Sequence, residues 1–475
     1  MNLFNNNPEL KRNAWIELRP NRILVLPVLL LLLYIIAISS SSYNTGGSVR
    51  TVSIIVFHIL VTIWGSKQTA DAIASEINEK TWDRQRMTGL NPWKMVIGKL
   101  IGPVLFQWYG AAMVMAVYFS SCFSSYKPGN EVYVGLITIA TGLFANAFAL
   151  LISLLSITGN NYSSFSNTKV NTTLFFIVAI IVGYQINGAI LLPGMGLSDF
   201  INWYGIGWGK PLSFLSIIVF LGWAIMGIYR NLRTELQYKN KSTAWNWFLL
   251  FIILYCFGFS INTNNNSFID LAGSIHLTTS WLIFLKLNIV AYVLLSVLFF
   301  LILFEQKSLF DYKAFITDLK EKDFRKLNYS APLWFITLIV TILFLAVLAV
   351  FSFFLPYKDS FDFISKSFSS SINTFIDNNP SAVFFLYFGT ILLIIRDVLL
   401  TRYLVYCSNF KNKILATITY FVVVYLALPT LFNLNGINLF LPIPHHESIL
   451  IPLISLLVQC GGAITFYKMN FDKIV

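Results

Sequence analysis

The chain is expected to fold as an all-α polytopic bundle embedded in a membrane, and three features of its sequence say so. Of its 475 residues, 56% are hydrophobic and only 11% charged, against roughly 25% charged in a soluble domain; its mean hydropathy is +0.70. The apolar residues fall in separate runs of about 17 to 25, the length a helix needs to cross a hydrocarbon core of about 30 Å, and not in the short alternating segments of a barrel. With the N-terminus on the cytoplasmic side, 27 of the 33 Lys and Arg lie in inner segments or at the inner ends of spans, five in outer loops and Lys286 deeper within a span. That is the asymmetry of the positive-inside rule.

Twelve spans follow, at 22–40, 51–66, 100–123, 132–157, 172–193, 211–230, 245–261, 280–304, 332–355, 381–398, 412–432 and 448–467. Both termini are then cytoplasmic. Before the first span, 8–20 (PELKRNAWIELRP) mixes Trp15, Ile16 and Leu18 with Lys11, Arg12, Glu17 and Arg19, the pattern of a helix lying in the inner interface with Pro8 at its first position. The organisation reads as a six-span half over 1–230, a polar cytoplasmic linker over 231–244 and a second six-span half over 245–475, a degenerate repeat of the first in which Arg396, Arg402 and Lys411 loosely echo the opening basic stretch.

The net charge of +12 reads as topology and contact with anionic lipid headgroups, not as a nucleic-acid footprint. The first apolar run begins after about twenty polar residues and is long enough to span, so it reads as a retained helix and not a cleaved leader. Four scattered cysteines without a CxxC imply neither a disulfide framework nor a zinc site. No GxxxxGK[ST] occurs in the sequence, so the chain has no phosphate-binding loop of its own.

Between the second and third spans lies the polar stretch ASEINEKTWDRQRMTGLNPWKMVIGK, 74–99. Glu76, Glu79, Lys80, Asp83, Arg84 and Arg86 stand three and four apart, as pairs on one exposed helix do. Gly89 and Pro92 break that helix, and a second, shorter one leads through Gly98 and Lys99 into the third span. The expected result is a structured cytoplasmic loop over 68–99.

With Glu76, Glu79, Thr81, Met87, Thr88, Leu90, Gly98 and Lys99 in this order, the loop resembles the first cytoplasmic loop of type-2 ABC transporter permeases, the membrane subunits of many ABC exporters. The first 230 residues resemble that family in their order of elements too: interfacial helix, two spans, this loop, three spans, a semi-apolar outer segment of re-entrant type (191–212) and a sixth span. The resemblance implies a transport subunit, not an enzyme, in a bacterial inner (plasma) membrane. It implies an ABC ATP-binding subunit that carries ATP and Mg as a separate partner, no cofactor in this chain, and pairing as a homodimer or as a pseudo-dimer of the two halves. It assigns coupling to Glu76, Glu79, Lys80, Thr81, Asp83, Arg84, Arg86, Thr88 and Gly89. DRQR (Asp83–Arg86) also resembles the Asp-Arg-x-Gly-Arg core of major-facilitator transporters, so a twelve-span secondary transporter is the main rival, and a membrane scaffold or enzyme the next.

Polar groups inside spans are functional candidates because they are costly there. His58, Gln107, Gln185 and Asn187 are the candidates for a substrate path, with interhelical hydrogen bonding as the alternative role. Lys286 lies close enough to the outer face to snorkel. His445 and His446 are adjacent, so they do not share a helix face, and a metal site is not expected. No Asp or Glu falls at the centre of any of the twelve spans, which disfavours coupling to an ion gradient.

Overall fold

The computed structural model describes residues 7–39, 45–87, 89, 91–123, 128–158, 201–204, 206–207, 210–236, 238, 240–261, 279–304, 309–322, 324–353, 381–406, 413–431, 433–434, 437–438 and 450–471. They are overwhelmingly helical, and nine helices are long and apolar enough to cross a membrane. The chain divides into two compact units, one of Met1–Ser198 with Trp208–Asn240 and one of Asp199–Gly207 with Lys241–Val475.

In the first unit, α1 (Pro8–Glu17) opens on Asn7, whose Oδ1 accepts from the backbone N–H groups of Glu9 and Leu10, with Pro8 inside the first turn where its missing N–H costs nothing. The apolar helix α2 (Pro20–Ser39) follows. The next span is one helix from Thr45 to Ile77, running past the expected end at 66: α3 (Thr45–Phe57), a π-helical stretch (His58–Gly65) and α4 (Ser66–Asn78). The short α5 (Trp82–Arg86) leads to α6 (Pro92–Ile101), which Asn91 caps by accepting from Trp93 N–H. Pro103 lies in a 3-10 turn, Gly102–Val104, that joins α6 to α7 (Leu105–Cys122). The long α8 (Pro128–Thr158) is the centre of this unit: 72% of its apolar window is buried, against 17% for α2. Ile73, Ile77, Trp82, Met95 and Val96 pack with Ile137, Phe144 and Leu150 of α8 and with Ile217, Ala224 and Ile228 of α9 (Lys210–Glu235).

The second unit comprises α10 (Thr243–Phe257), α11 (Thr279–Phe304), α12 (Leu309–Glu321), α13 (Phe324–Ser330), α14 (Leu333–Ser352), α15 (Ser381–Tyr406), α16 (Lys413–Val422), a π-helical stretch (Val423–Ala427), α17 (Leu428–Leu431) and α18 (Leu450–Phe471). Its core sets Phe284, Leu298 and Ile302 of α11 against Trp334, Leu345 and Leu348 of α14 and Tyr387, Ile394 and Val398 of α15.

Several expectations need amending. The span expected at 245–261 is a 15-residue helix that stops at Phe257, because Phe259–Ile261 (β3) pairs antiparallel with Ile201–Trp203 (β1), which also pairs with Ile206–Gly207 (β2). Of the segment expected to be re-entrant, 201–203 and 206–207 are therefore short paired strands, and 210–212 open α9. The helix expected over 381–398 runs on to Tyr406, which moves Asp397 from a span's end to its interior; a carboxylate does lie within a span. The expected span 412–432 is helical from Lys413 to Leu431, with the π-helical stretch Val423–Ala427 inside it. The span expected at 172–193 lies outside the described residues, as do Gln185, Asn187, His445 and His446.

Candidate functional site: an ion-clamped elbow

The polar stretch after the second span folds as an elbow of three helices. Helix α4 ends where the Thr81 N–H and Oγ1 both donate to the Glu76 carbonyl, at 2.9 and 3.1 Å, closing the last turn and satisfying one of its orphan carbonyls. Lys80 is consequently left-handed, with φ 58°. The single helix expected as far as Gly89 is thus broken at Lys80, and the expected Glu76–Lys80 pair on one face is not made. Gly89 takes φ 61°, a conformation glycine adopts at no steric cost.

Glu76 points inward. Its residue is only 6% exposed, and it binds groups distant in sequence: Oε1 accepts from Arg12 Nη2 at 2.7 Å, and Oε2 takes a short contact from Lys99 Nζ. Lys99 Nζ also donates to Gln85 Oε1 at 2.9 Å and stands 2.5 Å from Glu9 Oε1. It lies 5.6 Å from the centre of the Trp82 ring, within range of a cation–π contact. Two carboxylates and two cations from α1, α4 and α6 therefore cancel in one cluster, of which only Arg12 is half exposed. Such neutrality is what lets ionic groups be buried at all.

Helix α1 reaches this cluster because α6 is bare where they touch. A Cβ at Gly98 would stand 2.9 Å from Glu9 Oε2, and one at Gly102 would meet the Asn13 side chain. The two glycines, four apart, form a smooth stripe on one helix face. Asn7 adds a further tie, its Nδ2 donating to the Lys94 carbonyl at 2.7 Å. On the far side of α6, Trp93 stacks on Tyr229 of α9, centroids 4.3 Å apart and planes 15° apart.

Glu9 experiences these forces unequally. Burial pushes its carboxyl above the usual range, and the Lys99 ammonium beside it only partly opposes that. Among the described residues, neither Glu9 oxygen receives a well-aligned hydrogen bond, whereas Glu76 holds the aligned donors.

Of the residues expected to couple, Glu76 is a member of the buried clamp, and Thr81 caps α4. Glu79, Lys80, Asp83, Arg84 and Gly89 line the exposed outer side of the elbow, where Met87 is 87% exposed. Arg86 lies in α5 with its side chain outside the described set; Thr88 is also outside it. The two substrate-path candidates among the described residues are not brought to this site. His58, in the π-helical stretch, shares a hydrogen bond of 3.0 Å with Thr62, and Gln107 is buried in α7, its Oε1 accepting nothing among the described residues. Lys286 lies 5.6 Å from the Phe257 ring centre.

The sequence reading missed Glu9, Arg12, Gln85 and Trp82 as parts of one site. The available signals were an acid, Glu9, in the first turn of the interfacial helix and the Gly98–Gly102 spacing. Among the described residues no group of three His, Cys, Asp or Glu could hold a metal ion. The arrangement can hold three helices as one rigid piece and present a charged outer face. No family model, curated protein or solved structure matches the chain.

Proposed function

We propose that the chain is the membrane subunit of an ABC exporter, in which a separate ATP-binding subunit docks on the elbow and moves the spans joined to it. The observation that carries this reading is the clamp. A polar loop that only links two spans needs no buried ions, whereas a lever must keep its shape under load, and Lys99 ties α1, α4 and the start of the third span together. A stroke delivered to Asp83, Arg84 or Met87 then reaches two spans and the interfacial helix as rigid-body motion. The twelve-span topology, cytoplasmic termini and inner-membrane location belong to the same proposal, supported by the distribution of Lys and Arg. An amphipathic or lipid-like cargo fits spans with so few polar groups.

The test is to purify the intact chain from its native membrane and measure the ATPase activity that accompanies it. Replacing Glu79 and Arg84 together by Ala, both exposed and outside the clamp, is expected to lower that activity by about tenfold, the loss of about 1.4 kcal/mol of docking free energy, with the yield of folded chain unchanged. Equal activity in both preparations, or labelling of Lys80 from outside intact cells, overturns the reading. One observation favours the secondary transporter instead: Asp397 lies inside a membrane-length helix. Substrate movement driven by an ion gradient without nucleotide would select it.

A further inference from the structure

The second unit holds its own buried ionic group, and it is built around an irregular helix. Asp397 is fully buried. Its Oδ1 accepts from Arg396 Nε at 3.0 Å and from Tyr420 OH at 2.8 Å, and Arg396 Nη2 lies 2.9 Å away. Its Oδ2 takes a short bond from Tyr425 OH. Arg396 Nη1 continues the chain to Gln459 Oε1 of α18 at 2.5 Å, and Gln459 Nε2 to Ser455 Oγ at 3.1 Å. One carboxylate thereby binds two tyrosines from the segment 413–431.

Those tyrosines are five residues apart, and an α-helix would not let them meet. At 3.6 residues per turn, five steps rotate a side chain roughly 140° away from the first. Here, however, the helix widens to a π turn over Val423–Ala427, which begins between the two tyrosines and contains Tyr425. A π turn takes up one extra residue, so its steps rotate the chain by less than the α-helical ~100° each, bringing the Tyr425 hydroxyl back toward the face of Tyr420, and both reach Asp397. Pro429 follows, and it lacks the N–H that would bond the Tyr425 carbonyl in an α-helix, so continuing the α register has less to offer here. Leu426 is turned outward, 65% exposed, beside a half-buried Ala427.

We infer that Asp397 is a register latch: its bond to Tyr425 holds the segment 413–431 in the π-turned state, and release of that bond lets the α-helix close and rotates the segment beyond it by about one residue, roughly 100°. The latch gives a helix in the middle of the second unit two discrete faces to present, which is the bistability a conformational switch requires. The inference does not depend on the exporter reading; it needs only the packing of α15, the 413–431 segment and α18. In the α state Leu426 takes the half-buried direction that Ala427 holds now.

The test uses the full chain in lipid, its four native cysteines replaced by serine, with a nitroxide on a cysteine at position 426 and collision with dissolved oxygen as the readout. Tyr425→Phe is expected to lower oxygen accessibility at 426 by about twofold or more as the π turn closes. Tyr420→Phe, which removes a bond to the same carboxylate from a residue before the turn, is expected to leave it unchanged. Deleting Val423 removes the extra residue while keeping Tyr425 opposite Asp397, and accessibility at 426 is expected to stay as in the parent. If Tyr425→Phe does not fold, Asp397→Asn carries the same expectation. An unchanged signal in Tyr425→Phe assigns the turn to Pro429 alone, and an equal fall in Tyr420→Phe makes the effect a general loosening; either result overturns the latch.

Discussion

The two buried ionic groups differ in how far apart along the chain their charges lie. In the elbow, Glu9 and Arg12, Glu76, and Lys99 come from three helices, and each carboxylate reaches its cation across a helix boundary. In the second unit, Arg396 and Asp397 are neighbours on one helix, and what crosses to other helices is neutral: two tyrosine hydroxyls and the Gln459 amide. The first arrangement makes the charges themselves the joint, so helices cannot separate without exposing them. The second keeps its charge balance within α15 and lets the partners leave one at a time. The elbow is built to stay shut and the Asp397 group to let go, because removing a hydroxyl costs one hydrogen bond whereas removing an ion strands another.

The largest effect that would break this contrast is at Lys99. Lys99→Met leaves Glu9 and Glu76 buried together with only Arg12, and a loss of about 3–5 kcal/mol is expected, read as a collapse of the folded fraction in denaturant or heat titration of the purified chain. Tyr425→Phe should cost far less than that in the same titration. Comparable losses would erase the distinction between joint and latch.

Next in size is Gly98→Ala. The added methyl meets the Glu9 carboxylate at 2.9 Å, so α1 must lift from α6 at a cost of about 1–3 kcal/mol. Crosslinking between α1 and α6 should fall with it. An unaltered crosslink would mean that the smooth face is incidental to the clamp.

The smallest effect sharpens the roles of the two acids. Glu9→Gln should change stability by about 1 kcal/mol or less, because Lys99 keeps Glu76. Its signature is in the pH dependence. The folded state raises the Glu9 pKa above the usual value of 4.5, so the folded chain binds the more protons, and this group's contribution is complete below that value and is lost as pH rises through the raised one. Wild type should therefore lose stability relative to Glu9→Gln over that window. A parallel pair of pH curves would show that the ion pair with Lys99 fully offsets burial.

Membrane embedding, the amphipathic character of the first helix against the apolar second, and the helix start at Pro92 were all legible from composition and spacing, since each depends on residues close in sequence. Within the elbow, the break before α6 could be read from Gly89 and Pro92, but the break at Lys80 could not. It arises where Thr81 bonds back to the Glu76 carbonyl, and no glycine or proline marks it. The pairing of Glu76 was misread for a different reason. Spacing along a helix proposes Lys80 as its partner, while burial of the face selects Lys99, 23 residues away. Asp397 was misplaced because its helix continues eight residues beyond the expected end of the span, through polar positions that neighbours cover.

The sequence by itself determined that this chain must satisfy its backbone inside apolar helices, because segments this poor in charge and this long have no other low-energy solution in lipid. It also determined which loops hold the positive charge. Only the tertiary structure decided which of those charges are surface and which are joints. An ion's worth depends on what surrounds it once water is excluded, and for Glu9, Glu76, Lys99 and Asp397 the surroundings are assembled from helices that the linear order keeps apart.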